Sequence, residues 1–164
     1  MISIKEALKI INGQKIKRTS TEVPLEDAVG YYLAKEIISP INLPSFENSA
    51  MDGYALSGSF TSYDIVGEVA AGDQFDRELK KGEAVRIFTG APIPKNATSV
   101  VMQEKTSVAK GRLVVNQVPH DGEHIRAEGK EIQKGEQVFE AGHRLTPASL
   151  GMAASLGLDN VEVY

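Results

Sequence analysis

The 164 residues, 41% of them hydrophobic, suffice for one ordinary domain or two small ones with a filled core. Eighteen Lys and Arg against 22 Asp and Glu give a net charge of -4 with the signs interspersed. That balance excludes a general nucleic-acid binder, which needs a basic surface to displace counterions, but leaves room for a local anion site.

Cysteine is absent, which removes disulfides, thiolate metal sites and a cysteine nucleophile. The first residues lack the basic and apolar regions of a signal peptide, and no apolar run approaches the roughly 20 residues of a bilayer span. A cytoplasmic protein with no membrane partner is expected.

Ser3 and Glu6 form a capping-box pattern, each side chain placed to satisfy the other residue's free N–H. Ile4, Ala7, Leu8 and Ile11 follow at helical spacing, and Gly13 is a stop. Lys15 to Arg18 reads as a solvated basic loop. A second short helix is expected from Pro24, with Leu25, Ala28 and Val29 inward and Gly30 at its end. Leu33 to Ile38 reads as a strand stopped by Pro40.

From Leu43 short β-rich runs take over: Tyr63–Ala70, Ala84–Phe88, Ser99–Lys105, Leu113–Val118 and Glu136–Phe139. Turn signals lie between them, among them Asp52-Gly53, Gly72-Asp73, Lys110-Gly111 and Asp121-Gly122. After Ala141 helical signals return, with Thr146 as cap, Pro147 at the first helical position and Gly157 closing. Val161-Glu162-Val163-Tyr164 reads as a strand that begins without a partner, the mark of a cut inside a longer chain. The fold class expected is α+β: an irregular, mostly antiparallel β domain (43–139) inserted into a small α/β domain built from 1–42 and 140–164.

His120-Asp121-Gly122-Glu123-His124 matches the H-x-x-E-H pattern of a class of zinc proteases, which needs both histidines on one helix face. Pro119 and the Asp121-Gly122 turn break any such helix, so a polar loop and no metal site are expected. No phosphate-binding glycine loop occurs, and Ser49 and Ser155 lack the company of a nucleophilic triad.

Two loops carry the candidate chemistry. In Leu43-Pro44-Ser45-Phe46-Glu47-Asn48-Ser49-Ala50-Met51-Asp52-Gly53-Tyr54-Ala55, small residues, a carboxylate and two aromatics meet where the β region begins. On residues alone the plainer reading is a turn with ordinary aromatic anchors and a solvated carboxylate. In Arg86-Ile87-Phe88-Thr89-Gly90-Ala91-Pro92-Ile93-Pro94, two prolines fix a bend that reads equally as an anion nest of free N–H groups or as a strand terminator.

The S-A-M-D-G-Y-A and T-G-A-P-I-P stretches, Val100-Val101-Met102-Gln103-Glu104, and the tail Ile125-Arg126…Gly129-Lys130-Glu131-Ile132…Leu145-Thr146-Pro147 resemble, in order and across the chain, the N-terminal half of the MoeA-type molybdopterin molybdenumtransferases, the family of the gephyrin E domain. The resemblance implies molybdenum cofactor biosynthesis. Molybdenum from molybdate would enter adenylylated molybdopterin, with AMP released in a Mg²⁺-dependent step by a homodimer whose nucleotide site lies beyond Tyr164. A fragment alone would be inactive. It places catalytic roles on Asp52, Thr89 and Glu131, where Glu131 departs from the family's Asp, and substrate contacts on Ser49, Met51, Gly90, Pro92 and Arg126. The other reading is a non-enzymatic pterin-binding or scaffold module.

Overall fold

The computed structural model describes residues 2–14 and 18–164; most of the basic run expected to be a loop, 15–17, lies outside the described residues. In chain order the elements are α1 (Ile4–Asn12), β1 (Thr21–Pro24), β2 (Ile37–Ile38), β3 (Asn48–Ser49), β4 (Gly53–Leu56), β5 (Ser62–Val69), β6 (Glu83–Ile87), β7 (Ser99–Met102), β8 (Thr106–Ala109), β9 (Arg112–Val115), β10 (Ile125–Arg126), β11 (Gln137–Phe139), α2 (Pro147–Ser155) and β12 (Asn160–Val163). They form two compact units, Met1–Ile38 with Gln137–Tyr164 and Ser39–Glu136.

In the first unit both helix caps follow the sequence. Ser3 Oγ accepts from the Glu6 amide while Glu6 accepts from Ser3, and Thr146 and Ser149 do the same at α2. Gly157, at φ 78°, closes α2. α1 forms where the spacing places it, with its apolar stripe uncovered. None of its residues is buried, and Ile4, Leu8 and Ile11 are 82%, 53% and 64% exposed, because nothing among the described residues packs against that stripe.

Pro24 starts no helix; it ends β1, and a 3-10 turn over Leu25–Asp27 follows. Leu25 and Ala28 are buried, but Val29 is 53% exposed. The expected strand from Leu33 shrinks to Ile37–Ile38, because the backbone before it bonds to two different partners. Leu33 N–H goes to His143 and Ala34 N–H to Glu162, so no single ladder can run. The terminal strand is not left open: β12 pairs antiparallel with β1, Val23 opposite Val161. With one apolar residue between Thr21 and Pro24 other than proline, β1 has no alternation to announce it.

The second unit centres on a six-stranded sheet in the order β7-β4-β6-β5-β9-β8, antiparallel except for β5 beside β6. Successive residues go to opposite faces, and both faces are covered. Ala55, Val85, Ile87 and Val100 lie in one core cluster, while Leu56, Ala84, Val101 and Leu113 lie in the other. Tyr63, fully buried, donates to the Gly58 carbonyl and accepts from the Phe60 amide, both at 2.8 Å. The strand expected over Ser99–Lys105 stops at Met102, where a 3-10 turn begins. His120–His124 is a turn with His124 at φ 57°, and among the described residues no three acidic or histidine side chains converge on a metal position.

Candidate functional site

Sequence places Asp52 and Thr89 37 residues apart; main-chain hydrogen bonds between their loops bring them together. Ser49 and Ala91 bond through Ser49 N–H at 3.0 Å, Gly90 donates to the Ser49 carbonyl at 2.8 Å, and Ile93 donates to Glu47 at 3.0 Å. Gly90 turns the second loop at φ 84°, a conformation open to glycine at little cost. Ser49 Oγ donates to the Met51 carbonyl at 2.6 Å and tightens the first. Gly53 then enters β4 so close to β7 that a Cβ there would lie 1.8 Å from the Val101 carbonyl oxygen.

On this frame Asp52 Oδ1 accepts from both the Thr89 amide and the Thr89 hydroxyl, each at 2.8 Å. These bonds, the backbone one first, hold the Asp52 carboxyl below the usual range, with a smaller contribution from the Arg86 charge. Both bonds converge on one oxygen, so among the described residues Asp52 Oδ2 has no partner, at an exposed position. Arg86 braces the other side. It donates to the Gly53 carbonyl at 2.7 Å and to Gln103 Oε1 at 2.5 Å, and its guanidinium carbon lies 5.3 Å from the Tyr54 ring and 4.7 Å from the Phe88 ring. The Gln103 main-chain N–H also donates to the Asp52 main-chain carbonyl at 3.2 Å. The sequence placed Gln103 in a stretch that carries the family resemblance but gave it no role, because its part is visible only once β4, β6 and β7 lie side by side.

The free-amide reading of the proline bend does not hold. Thr89 N–H goes to Asp52, Gly90 N–H to Ser49, Ala91 N–H to Phe88 and Ile93 N–H to Glu47, and the prolines have none to give. The bend is an orienting support for Asp52 and not an anion nest. Ser49, expected to meet substrate, is fully buried with its hydroxyl directed to Met51, so it shapes the loop. Met51 is 36% exposed beside Asp52, and Pro92 bridges to Asn48. Arg126 sits on β10 opposite Asn48 with its side chain exposed. Glu131 is anchored by its amide to the Leu43 carbonyl at 2.9 Å, and its exposed carboxylate has no recorded bond to Asp52 or Thr89.

The arrangement supplies one fixed, ionised carboxylate with an open oxygen, and a braced cation beside it. A group held ionised is a weak proton acceptor, so the geometry suits holding a cation or a hydrogen-bond donor better than carrying protons.

The family model for the MoeA N-terminal region, domains I and II, matches residues 2–157. A molybdopterin molybdenumtransferase of Haemophilus influenzae is 40% identical over 171 aligned residues, covering 100% of this chain and 42% of that protein. Molybdopterin molybdenumtransferase 2 of Mycobacterium tuberculosis is 34% identical, covering 99% of this chain and 42% of that protein. A crystal structure of a molybdopterin biosynthesis MoeA protein from Pyrococcus horikoshii OT3 superposes with a TM-score of 0.90 at 31% identity, over 97% of this chain and 45% of that one. The chain thus spans about two-fifths of the length of these relatives.

Proposed function

Because this chain belongs to the family of the MoeA N-terminal region, we propose that it supplies one wall of a site where molybdenum from molybdate enters adenylylated molybdopterin and AMP is released. One observation carries this reading: Asp52 and Thr89, brought together from two loops, form a single oriented group with a free carboxylate oxygen. We assign the unit built from the chain ends to domain I of the family and the unit Ser39–Glu136 to domain II.

Asp52 is the principal functional group of this wall and Thr89 its positioning partner. Met51, Gly90 and Pro92 border them, and Arg126 and Glu131 stand as outlying substrate contacts. Both substrates are anions, so Asp52 does not attract them; it orients what neutralises them. Magnesium fits in that sense. Among the described residues no acidic cluster could cage an ion alone, but Mg²⁺ commonly takes one or two carboxylates together with substrate phosphates, and Asp52 Oδ2 offers one. Bound there, the ion would neutralise phosphate charge. The homodimer, the magnesium requirement and the cytoplasmic setting come with the family resemblance.

The competing reading is a pterin carrier or scaffold with no turnover. The test is a single-turnover assay with adenylylated molybdopterin, molybdate and Mg²⁺, run on this chain and on a protein extended to the length of its relatives. The enzyme reading predicts AMP and molybdenum cofactor from the extended protein and neither from this chain. Tight pterin binding without turnover by the extended protein would establish the carrier.

A further inference from the structure

A second feature lies on the same two loops. A cleft of about 610 Å³ opens between residues 72–78 and Pro92–Lys95, with Phe46 at its rim. That volume falls within the range of small-molecule sites. Phe46 is 46% exposed, although its loop is otherwise tightly bonded. Across the cleft Phe75 packs on the core, and the Arg77 guanidinium carbon lies 5.4 Å from the centre of its ring.

The charges sort by partner. Arg77 is paired with Glu83 at 2.6 Å, and Glu78 accepts from Asn96 at 3.1 Å. Asp73 and Asp76 have no side-chain partner recorded among the described residues. Lys95 on the other side supplies a cation, so the cleft is not uniformly acidic, and its donor-seeking groups are the two open carboxylates. They favour a flat ring that presents N–H donors at its edge.

We propose that this cleft seats the pterin ring system of the substrate. The fused rings lie against Phe46, and the cyclic guanidine edge, an N–H and an amino group side by side, pairs with Asp73 or Asp76 as a guanidinium pairs with a carboxylate. This inference rests on the proposed function for the identity of the substrate. The reach is right. The ribbon that carries Asp52 and Thr89 at one end, through the Gly90–Ser49 bond, carries Ile93 and Glu47 at the other. Three residues, Gly90 to Ile93, span at most about 10 Å. A ring seated in the cleft therefore leaves its sulfur- and phosphate-bearing end within reach of Asp52.

The probe is 6-hydroxymethylpterin, which has the ring but neither dithiolene nor phosphate, and the readout is quenching of its fluorescence on this chain. Saturable binding is expected, weakened about tenfold by Phe46→Ala, the scale of a lost aromatic stack, and also weakened by the Asp73→Asn, Asp76→Asn double variant. All three positions are on the surface, and circular dichroism checks that each variant keeps its fold. Absence of binding at millimolar probe, or binding unchanged in both variants, overturns the assignment. Because the probe lacks the reacting groups, it reports on the ring seat alone. Failure of the roles given to Asp52 and Thr89 would appear in the insertion assay and not here.

Discussion

Replacing Gly53 with Ala tests the frame that presents Asp52. An added Cβ meets only backbone: the Val101 carbonyl oxygen at 1.8 Å, its carbon at 2.8 Å and Met102 Cα at 3.1 Å. Ordinary contact between non-bonded heavy atoms is about 3.5–4 Å, so β4 and β7 must part by roughly 1.5 Å or more at this point. Gly53 stands opposite Ile87 on one side and Met102 on the other. Loss of about two ladder hydrogen bonds at ~1 kcal/mol each, with overpacking at ~1–3 kcal/mol, gives a destabilisation of about 3–5 kcal/mol. At about 2–4 °C per kcal/mol for a chain of this size, the midpoint falls by roughly 10 °C. The chain has no Trp, so far-UV circular dichroism should follow the unfolding by heat or urea. A Gly53→Ala protein within about 1 kcal/mol of the parent would show that the β4–β7 approach is not as close as described.

Three further outcomes follow from the site. The Asp52 carboxyl should titrate below the ordinary value of about 3.9, and Thr89→Val should move it up only part of the way, because the Thr89 amide remains; carbon-detected NMR titration would show this, and an unmoved Asp52 would discount the hydroxyl bond. Since the folded group is the stronger acid, its stabilising effect is complete above the unfolded value and fades as pH falls through the folded one, so Asp52→Asn should flatten the loss of stability below about pH 4. Glu131→Asp, which puts at an exposed position the residue that the family resemblance implies, should change molybdenum insertion in the extended protein by less than about tenfold, or ~1.4 kcal/mol of barrier; a larger loss would bring Glu131 to the centre of the site.

What the sequence disclosed was local. Ser3 with Glu6, Thr146 with Pro147, and Gly157 act within one turn of chain, so their caps could be read directly. β5 and β6 stood out as apolar runs bounded by turns. β4 did not, because Gly53-Tyr54-Ala55-Leu56 follows a turn-like Asp-Gly and is covered on both faces, which erases alternation. The expectation that the terminal strand is unpaired failed for a similar reason: its partner, Thr21–Pro24, carries no β pattern of its own. At the site the residue types were visible, but the pairing of Asp52 with Thr89 depends on bonds between distant loops. Those same bonds use the amides that the bare sequence left free at the bend.

The central claim is that the Asp52–Thr89 pair works in metal insertion. The direct measurement is the single-turnover rate of molybdenum insertion by the extended protein with Asp52→Asn, which keeps the size of the side chain and an acceptor for the Thr89 bonds but removes the charge. With the fold intact, a loss on the order of 10²-fold or more is predicted, as for other single oriented groups at reacting centres. A well-folded Asp52→Asn protein inserting molybdenum at close to the parent rate would contradict the account.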